Sequence, residues 1–249
     1  MQYSLLRRIA SVFLSAAIVF IAASAVLAGP SGVAMNGGYA EWKIGGILIW
    51  KFPAKYSVEA TTVSERFNKV YSKGFALTDL NVFKVDDFWS LRIGDNVIVS
   101  ALPRYGGSVK MNSHLLGLTI LSRVYEAVGQ LHAHKLTQNY KIGGGFEVDS
   151  MISWYGGKMI GRKFANGERF TESHLSAAAK NLPFGTLVKI TSAASGKSVV
   201  VRITDRFAEH KNRLLDISQA AAELLGIKSM GVAKVMVNVI GRVDKVGGR

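Results

Sequence analysis

The arrangement of apolar and polar positions divides the chain into three parts. Residues 9–27 are almost continuously apolar. Between residues 40 and 130, apolar positions recur both at alternate residues and at every third or fourth residue, which predicts strands and helices in a small α+β unit. From about residue 148, short β-branched segments follow one another closely, which is typical of a small barrel. The predicted fold is a small α+β N-terminal domain followed by a mainly β C-terminal domain.

The apolar run at the N-terminus has the features of an export signal that spans residues 1–28. Arg7 and Arg8 precede it, and its end offers two small-residue cleavage sites, ASA at 23–25 and VLA at 26–28. A run of about twenty apolar residues is also long enough to span a bilayer, so cleavage and retention as an anchor are alternatives. Either one predicts that the rest of the chain lies in the periplasm or cell envelope.

Residues 29–39 form a predicted Gly-rich linker, and residues 40–130 form the predicted α+β accessory domain. Strands are predicted at 44–52, 82–85, 89–93 and 97–102, and helices at 58–71 and from Asn112 or Ser113 onward. The apolar face of the second helix would consist of Leu116, Ile120, Val124 and Val128. This segment contains no visible catalytic constellation. It could bind the substrate or another envelope or divisome protein, or it could have a purely structural role. The two alternatives are equally open.

The C-terminal half contains a second linker, the predicted barrel and a short tail. Residues 131–147 are polar and Gly-rich, which predicts a linker. The barrel is predicted at residues 148–241 and the basic tail at residues 242–249. Within the barrel, the clearest predicted elements are strands at 187–191, 199–204 and 232–240 and helices at 173–181 and 218–225.

Composition and charge narrow the function classes. Of the 249 residues, 49% are apolar and 19% are charged, which indicates a folded chain with a substantial core. The formal net charge of +14 favours an anionic partner, either nucleic acid or an acidic envelope polymer or lipid. The export signal and the lack of a basic recognition motif make nucleic acid the least favoured partner. The chain has no cysteine, which excludes disulfides, thiolate metal sites and a Cys nucleophile.

Five short motifs follow one another between Met151 and Gly241. They are SWYGG at 153–157, ANGE at 165–168, LPFGT at 182–186, VRITDR at 201–206 and RLLDIS at 213–218. In this order and spacing the motifs resemble the RlpA (rare lipoprotein A) family of lytic transglycosylases. The resemblance implies a six-stranded double-psi β-barrel and peptidoglycan glycan strands as the substrate.

Lytic transglycosylation needs few protein groups. The 6-hydroxyl of muramic acid attacks its own anomeric carbon, so the nucleophile is tethered and its effective concentration is high. One carboxyl that acts first as acid and then as base would suffice, with no metal and no cofactor. The strands would be cut between MurNAc and GlcNAc, and the products would carry 1,6-anhydro-muramyl ends.

Three carboxylates are the candidate catalytic residues. Asp205 ends an apolar strand and matches the family's catalytic aspartate; the alternative is a turn cap or a partner of a nearby arginine. Glu168 matches the acid of the ANGE motif, although a Glu after a turn is ordinarily solvated. Two neighbouring carboxylates would separate their pKa values and leave one protonated near neutral pH. Asp216 would support the site, or either Asp216 or Ser218 would simply cap the following helix.

Five further residues are candidate substrate contacts. Trp154 and Tyr155 could pack against sugar rings or belong to the core. Asn166, in the ANGE motif, is expected in the groove. Arg202 and Arg206 could contact the anionic wall polymer, or remain ordinary solvated charges.

The chain departs from the family in three ways. Where family members usually have a histidine, it has Ala179; His174 lies five residues earlier, about 140° around the predicted helix, which argues against substitution. Phe207-Ala208 replaces Gly-Pro, and His210 is a more distant proton carrier. Many family members are lipoproteins, whereas a chain without cysteine is not expected to be one.

The missing histidine keeps two rival functions open. One is a non-catalytic wall-binding or wall-loosening module, as in the expansin-like relatives of this barrel. The other is an inverting hydrolase that uses Asp205 and Asp216 with an activated water molecule. It predicts that the two carboxylates lie roughly 6.5–9.5 Å apart.

Overall fold

The computed structural model describes residues 29–106, 111–134, 147–207 and 213–248. The predicted export signal at 1–28, most of the predicted linker at 131–147, and His210 lie outside these ranges.

The N-terminal part begins with a three-stranded antiparallel sheet of β1 (Ser31–Asn36), β2 (Tyr39–Ile44) and β3 (Ile47–Pro53). The prediction of a linker at 29–39 was therefore wrong. Strand β1 pairs with β2 along its whole length, and the side chain of Asn68 bonds both the backbone N–H and the carbonyl of Ser31. The strand predicted at 44–52 is confirmed as β3 from Ile47 onward, but its predicted start was wrong, because Gly45 and Gly46 have φ values of 56° and 83° and form a turn between β2 and β3.

The other N-terminal elements follow the predictions closely. Helix α1 (Ser57–Lys73) packs on the first sheet and ends at Gly74. A short strand β4 (Phe75–Ala76) precedes a second antiparallel sheet of β5 (Leu80–Val85), β6 (Phe88–Ile93) and β7 (Asn96–Ser100). Helix α2 (Ser113–His132) begins at Asn112, whose side chain accepts a hydrogen bond from the N–H of Leu115. The predicted apolar face of α2 is confirmed, since all four of its residues are buried.

The C-terminal part is a closed six-stranded barrel, which confirms the predicted mainly β domain. Its strands are β8 (Glu147–Tyr155), β9 (Ser176–Ala179), β10 (Thr186–Ser192), β11 (Ser198–Asp205), β12 (Arg213–Ser218) and β13 (Val232–Arg242). Around the barrel the order is β10-β11-β9-β12-β8-β13. The pairs β11–β9 and β12–β8 are parallel and the other pairs are antiparallel.

The helix predicted at 173–181 is wrong, because this segment contributes the short strand β9. Ala177, Ala178 and Ala179 are at most 4% exposed and lie between β11 and β12. Pairing along both edges of the strand outweighs the intrinsic helix preference of the three alanines, because tertiary contacts override propensity. The other predicted barrel helix is confirmed as α3 (Gln219–Leu225), which is capped by Ser218 and terminated by Gly226.

The C-terminal segment returns to the N-terminal part, so the basic tail predicted at 242–249 was wrong over its described residues. Strand β14 (Lys245–Val246) pairs with β4, and Val243 and Val246 are buried. Helix α2 packs against barrel strands β10 and β11, and the buried apolar side chains of both parts form one cluster. No helix within the described ranges is long and apolar enough to cross a membrane.

Candidate active site

A β-bulge at the end of β11 determines the face of the sheet on which Asp205 lies. Ile203 pairs with Ala177 and Asp205 pairs with Ala178, so Thr204 is an extra residue on β11. An extra residue changes which face of the sheet the following side chain occupies. The bulge therefore places Asp205 on the same face as Ala178.

Asp216 lies on that face from the opposite side. In the β12–β9 pair, Asp216 is the direct partner of Ala178, so the small Ala178 side chain separates the two aspartates. Two strand spacings put their Cα atoms about 10 Å apart. The hydroxyl of Ser153, the neighbour of Asp216 on β8, donates a 2.7 Å hydrogen bond to Asp216 Oδ1. Asp205 and Asp216 thus lie on one face of the barrel, on either side of Ala178.

Tyr155 lies on the same face of the barrel as the two aspartates. Its hydroxyl and that of Ser176 are 2.7 Å apart, and its ring packs edge-on against Phe170. Burial raises the pKa of Tyr155 well above its ordinary value; the charges of Asp205 and Asp216 add to the rise, and the bond to Ser176 opposes it. The hydroxyl therefore remains protonated at neutral pH.

Glu168 is held by charge and hydrogen bonds from several directions. Both of its oxygens accept 2.6 Å hydrogen bonds from Arg202, one from each terminal guanidinium nitrogen. The side-chain amide of Asn166 also donates to Glu168, and Nε2 of His174 lies 3.9 Å from its Oε2. Arg202 is only 2% exposed, so the guanidinium of this ion pair is shielded from water, while the Glu168 side chain is 22% exposed.

These contacts fix the charge of Glu168. Desolvation is the largest single influence and would raise its pKa, but the combined effect of Arg202, His174 and Asn166 lowers the pKa to about 2. Glu168 is therefore ionised at neutral pH. Of the two neighbouring carboxylates expected to separate their pKa values, Glu168 is the one that stays ionised, because a paired guanidinium stabilises its anionic form.

The loop that carries Glu168 also holds Asp205. The backbone N–H of Ala165 donates to Asp205 Oδ1 at 2.9 Å, and the N–H of Arg206 donates to the same oxygen at 2.8 Å. The N–H of Asn166 donates to the carbonyl of Thr204 at 3.2 Å. Asp205 and the ANGE loop are consequently one bonded unit.

His174 belongs to this neighbourhood, contrary to the argument from a helix. The segment is extended, so no helical rotation separates His174 from the site. Its Nδ1 accepts the backbone N–H of Thr171 at 2.9 Å, which leaves the proton of the neutral ring on Nε2, facing Glu168. Ala179, at the position of the family's histidine, is 2% exposed and pairs with the buried Leu215.

The predicted substrate contacts have other partners. Arg202 is buried against Glu168 and cannot reach a wall polymer. Arg206 donates to the carbonyls of Ala179 and Leu182, and its guanidinium lies 3.8 Å from the centre of the Phe184 ring. Both arginines thus stabilise loops.

The remaining predicted contacts are Asn166, Tyr155 and Trp154. Asn166 orients Glu168, and Tyr155 faces the aspartates. Trp154 points away from them, because adjacent residues of a strand face opposite sides. Its indole N–H donates to the carbonyl of Lys228. Sequence reasoning missed Ser153, although its spacing of two from Tyr155 in the SWYGG motif placed both on one face.

Within the described ranges, no group of three or more His, Asp or Glu side chains is arranged to hold a metal ion.

Comparisons with known proteins show what the barrel region is similar to. Residues 148–237 match the family model described as lytic transglycolase. A protein of Rickettsia felis named endolytic peptidoglycan transglycosylase RlpA is 41% identical over 119 residues, which cover 43% of this chain and 52% of that protein. A probable endolytic peptidoglycan transglycosylase RlpA of Synechocystis is 49% identical over 90 residues, 36% of this chain and 28% of that protein.

Over residues 148–237 the barrel is therefore similar to the lytic transglycolase family and to these RlpA relatives. This six-stranded barrel is the family's double-psi β-barrel, as the motifs indicated. The chain spans about half or less of the length of these curated relatives. Among solved structures, an expansin of Clavibacter michiganensis has a TM-score of 0.30 and 18% identity, with 37% of this chain and 50% of that chain covered. A likeness this low carries no argument about the fold or the function.

Proposed function

We propose that this protein is an exported peptidoglycan lytic transglycosylase that cleaves between MurNAc and GlcNAc and leaves 1,6-anhydro-muramyl ends. The observation that carries the proposal is the pair of aspartates, Asp205 and Asp216, on one face of a barrel similar to the RlpA relatives. The named relatives that match this barrel support the choice of substrate. The function needs no cofactor.

Asp205 is the acid and then the base in this proposal. Two backbone N–H groups bond its Oδ1, so we assign Oδ2 to proton exchange. Protonated Asp205 gives its proton to the departing O4 of GlcNAc as the bond from that oxygen to muramic C1 breaks. The muramic O6 then forms the new bond to C1, and its proton passes to Asp205. The proton count balances, and Asp205 is again protonated at the end of the cycle.

The two other carboxylates have supporting roles. Asp216, fixed by Ser153, places negative charge near the oxocarbenium-like transition state. Glu168 is ionised and tied to Arg202, so in this proposal it holds the loop that orients Asp205 instead of moving a proton.

Product analysis of three variants tests the proposal. Residues 29–249 are incubated with sacculi, beside Asp205→Asn and Asp216→Asn variants, and the soluble fragments are weighed by mass spectrometry. The parent is expected to release anhydro-muramyl ends, and Asp205→Asn to lose about 10²–10⁴-fold of the rate. Asp95→Asn, in the exposed turn between β6 and β7, is the control and should match the parent. Equal rates for the parent and Asp205→Asn would contradict the assignment.

A second candidate function rests on the buried Ala179 at the histidine position. If an imidazole at residue 179 is indispensable, the barrel binds glycan without cutting it. Parent and Asp205→Asn would then sediment with sacculi while releasing no sugar.

We also propose a location in the cell envelope, since the named relatives act on peptidoglycan. Binding of other envelope or divisome proteins by residues 40–130 stays a prediction.

A further inference from the structure

A groove lies where the first turn of α2 meets the end of strand β8 and the end of helix α3. Its volume is about 650 Å³, and it is lined by Leu115, Trp154, Glu223, Gly226, Lys228 and Ser229. Ligand sites in proteins commonly enclose roughly 300–1,000 Å³ and combine an apolar lining with a few polar groups. Leu115 lies outside the residues that match the family model, so both parts of the chain contribute to the groove.

Trp154 forms the apolar wall of this groove together with Leu115. Trp154 pairs with Ile217 of β12, just before α3 begins. Its indole N–H donates a 3.1 Å hydrogen bond to the carbonyl of Lys228, in the short 3-10 helix that follows α3. This bond holds the half-buried ring in one orientation at the groove. A ring held in this way presents a flat apolar surface to a ligand.

The polar edge of the groove is an ion pair with hydrogen-bonding capacity to spare. Lys228 Nζ donates to Oε1 of Glu223 at 2.6 Å, and the side-chain amide of Gln219 donates to the same oxygen at 3.1 Å. Both hydrogen bonds that Glu223 accepts from the described part of the chain thus go to Oε1, which leaves Oε2 for a ligand. Lys228 has two further N–H groups, and Ser229 adds a hydroxyl at the same edge.

This lining favours a neutral ring that is apolar on one face and polar around its edge. The opposite charges of Glu223 and Lys228 cancel, so the groove does not select a phosphate, a carboxylate or an amine. A pyranose packs its C–H face on an aromatic ring and exchanges hydrogen bonds with charged groups through its hydroxyls. An acetamido group adds a methyl that fits beside Leu115 and an N–H that can donate to Oε2 of Glu223.

We propose that this groove binds an N-acetylglucosamine residue of a glycan strand, with the sugar ring against Trp154 and its polar edge at Glu223 and Lys228. That the strand is peptidoglycan rests on the function proposed above, whereas the preference for the sugar does not. Trp154 points away from the two aspartates, so the groove is a second binding site for the strand. A strand that is held at two sites dissociates less readily than a strand held at one.

Titration with a sugar probe, followed by NMR, tests the proposal in residues 29–249, which include every described residue. The probe is tetra-N-acetylchitotetraose, a chain of N-acetylglucosamine alone, and a peptidoglycan stem tetrapeptide is titrated in parallel. The indole N–H signal of Trp154, identified by its loss in Trp154→Leu, and the backbone N–H signal of Ser229 report binding at the groove.

Glu223→Gln and Glu126→Gln form a matched pair of variants. The Glu223 side chain is 27% exposed and lies 2.6 Å from Lys228 Nζ, and the Glu126 side chain is 25% exposed and lies 2.7 Å from Lys189 Nζ. The same change is therefore made in two similar ion pairs, of which only the first lines the groove. Because Trp154 also packs against the core, the isosteric Glu223→Gln is the decisive variant.

We expect the sugar to move both reporter signals of the parent saturably. Trp154→Leu and Glu223→Gln should each raise the Kd about tenfold, because they remove the stacking surface and a hydrogen bond to a charged group. Glu126→Gln should bind as the parent does. The proposal is overturned if the sugar causes no saturable shift at millimolar concentration, if the two glutamine variants behave alike, or if only the tetrapeptide binds.

This titration does not depend on cleavage, so it separates two possible failures. A parent that binds the sugar at Trp154 but releases no anhydro-muramyl ends from sacculi would contradict only the function proposed above. A parent that releases these ends while its Trp154 signal stays unmoved would contradict only the second binding site.

Discussion

Arg202 and Glu168 show how a single buried contact determines the charge of the site. Arg202 is 2% exposed, and both of its terminal nitrogens are bonded to Glu168. Removal of one partner of such a pair leaves the other charge buried and unpaired, which costs more than the pair itself contributes.

The first prediction follows from that asymmetry. Glu168→Gln removes the negative charge and leaves Arg202 buried, so we expect the free energy of unfolding at pH 7 to fall by about 3 kcal/mol. Urea unfolding followed by circular dichroism measures it. Glu172→Gln, an exposed glutamate of the same loop, is the control and should change stability by less than about 0.5 kcal/mol. Equal effects of the two variants would mean that the pair contributes nothing to the fold.

The second prediction concerns pH. The pKa of Glu168 is lowered from 4.5 to about 2 in the folded protein. A lowered folded pKa gives stability that is present above the unfolded pKa and lost as pH falls toward the folded one. The parent should therefore lose stability between pH 4.5 and about 2 more steeply than Glu168→Gln. Other carboxylates are common to both proteins, so the difference between their unfolding curves isolates Glu168; parallel curves would contradict the prediction.

At this scale, local patterns select candidate residues but do not reveal their distant partners. The motifs select Asp205 and Asp216 as candidates, because the residue types and spacing are local. Arg202 was expected at a wall-binding surface, since nothing local reveals a partner 34 residues away. His174 was set aside on a helical geometry that the chain does not adopt.

Among the elements, the bulge in β11 and the short strand β9 do most to build the site. The extra residue Thr204 places Asp205 on the face of Ala178, and β9 supplies the narrow floor between the aspartates. The C-terminal strand β14 connects the end of the chain to the N-terminal part. It pairs with β4, and the N–H of Gly248 donates to the carbonyl of Tyr71 near the end of α1.

The third prediction tests that C-terminal connection. Gly247 has a φ of +65°, and a Cβ atom there would overlap the backbone carbonyl of Tyr71. We expect Gly247→Ala to lower the free energy of unfolding by about 3 kcal/mol, because backbone strain and the clash add. Gly46→Ala separates the two causes, since Gly46 has a φ of +83° and a Cβ atom there would have no other atom within 4 Å. It should cost only about 1 kcal/mol. Equal losses would show that β14 does not pack against α1 in solution.

Elements with a strong periodic pattern were predictable and those that depend on distant pairing were not. Helix α2 has an apolar stripe and an Asn112 cap, both of which are local signals. The alanines of β9 gave a helical signal that pairing with β11 and β12 overrides. Residues 31–36 lack a strong strand pattern and become β1 through β2 and Asn68.

At the scale of the whole molecule, two parts that the sequence separates share one core. Helix α2 covers β10 and β11, and β14 returns from the barrel to β4. No local pattern indicates this arrangement, because both connections join segments that are far apart along the chain. The barrel itself was expected from short strands, and its double-psi form only from the resemblance to a family.

The proposed mechanism requires that this barrel breaks glycan strands by internal attack. Digestion of sacculi in water enriched in ¹⁸O, followed by mass spectrometry of the new ends, tests this requirement directly. Transglycosylation forms the new bond from the substrate's own O6, so we predict anhydro ends without ¹⁸O. One ¹⁸O at each new reducing end would show that water is the nucleophile. That result would contradict internal attack and favour a hydrolase that uses Asp205 and Asp216.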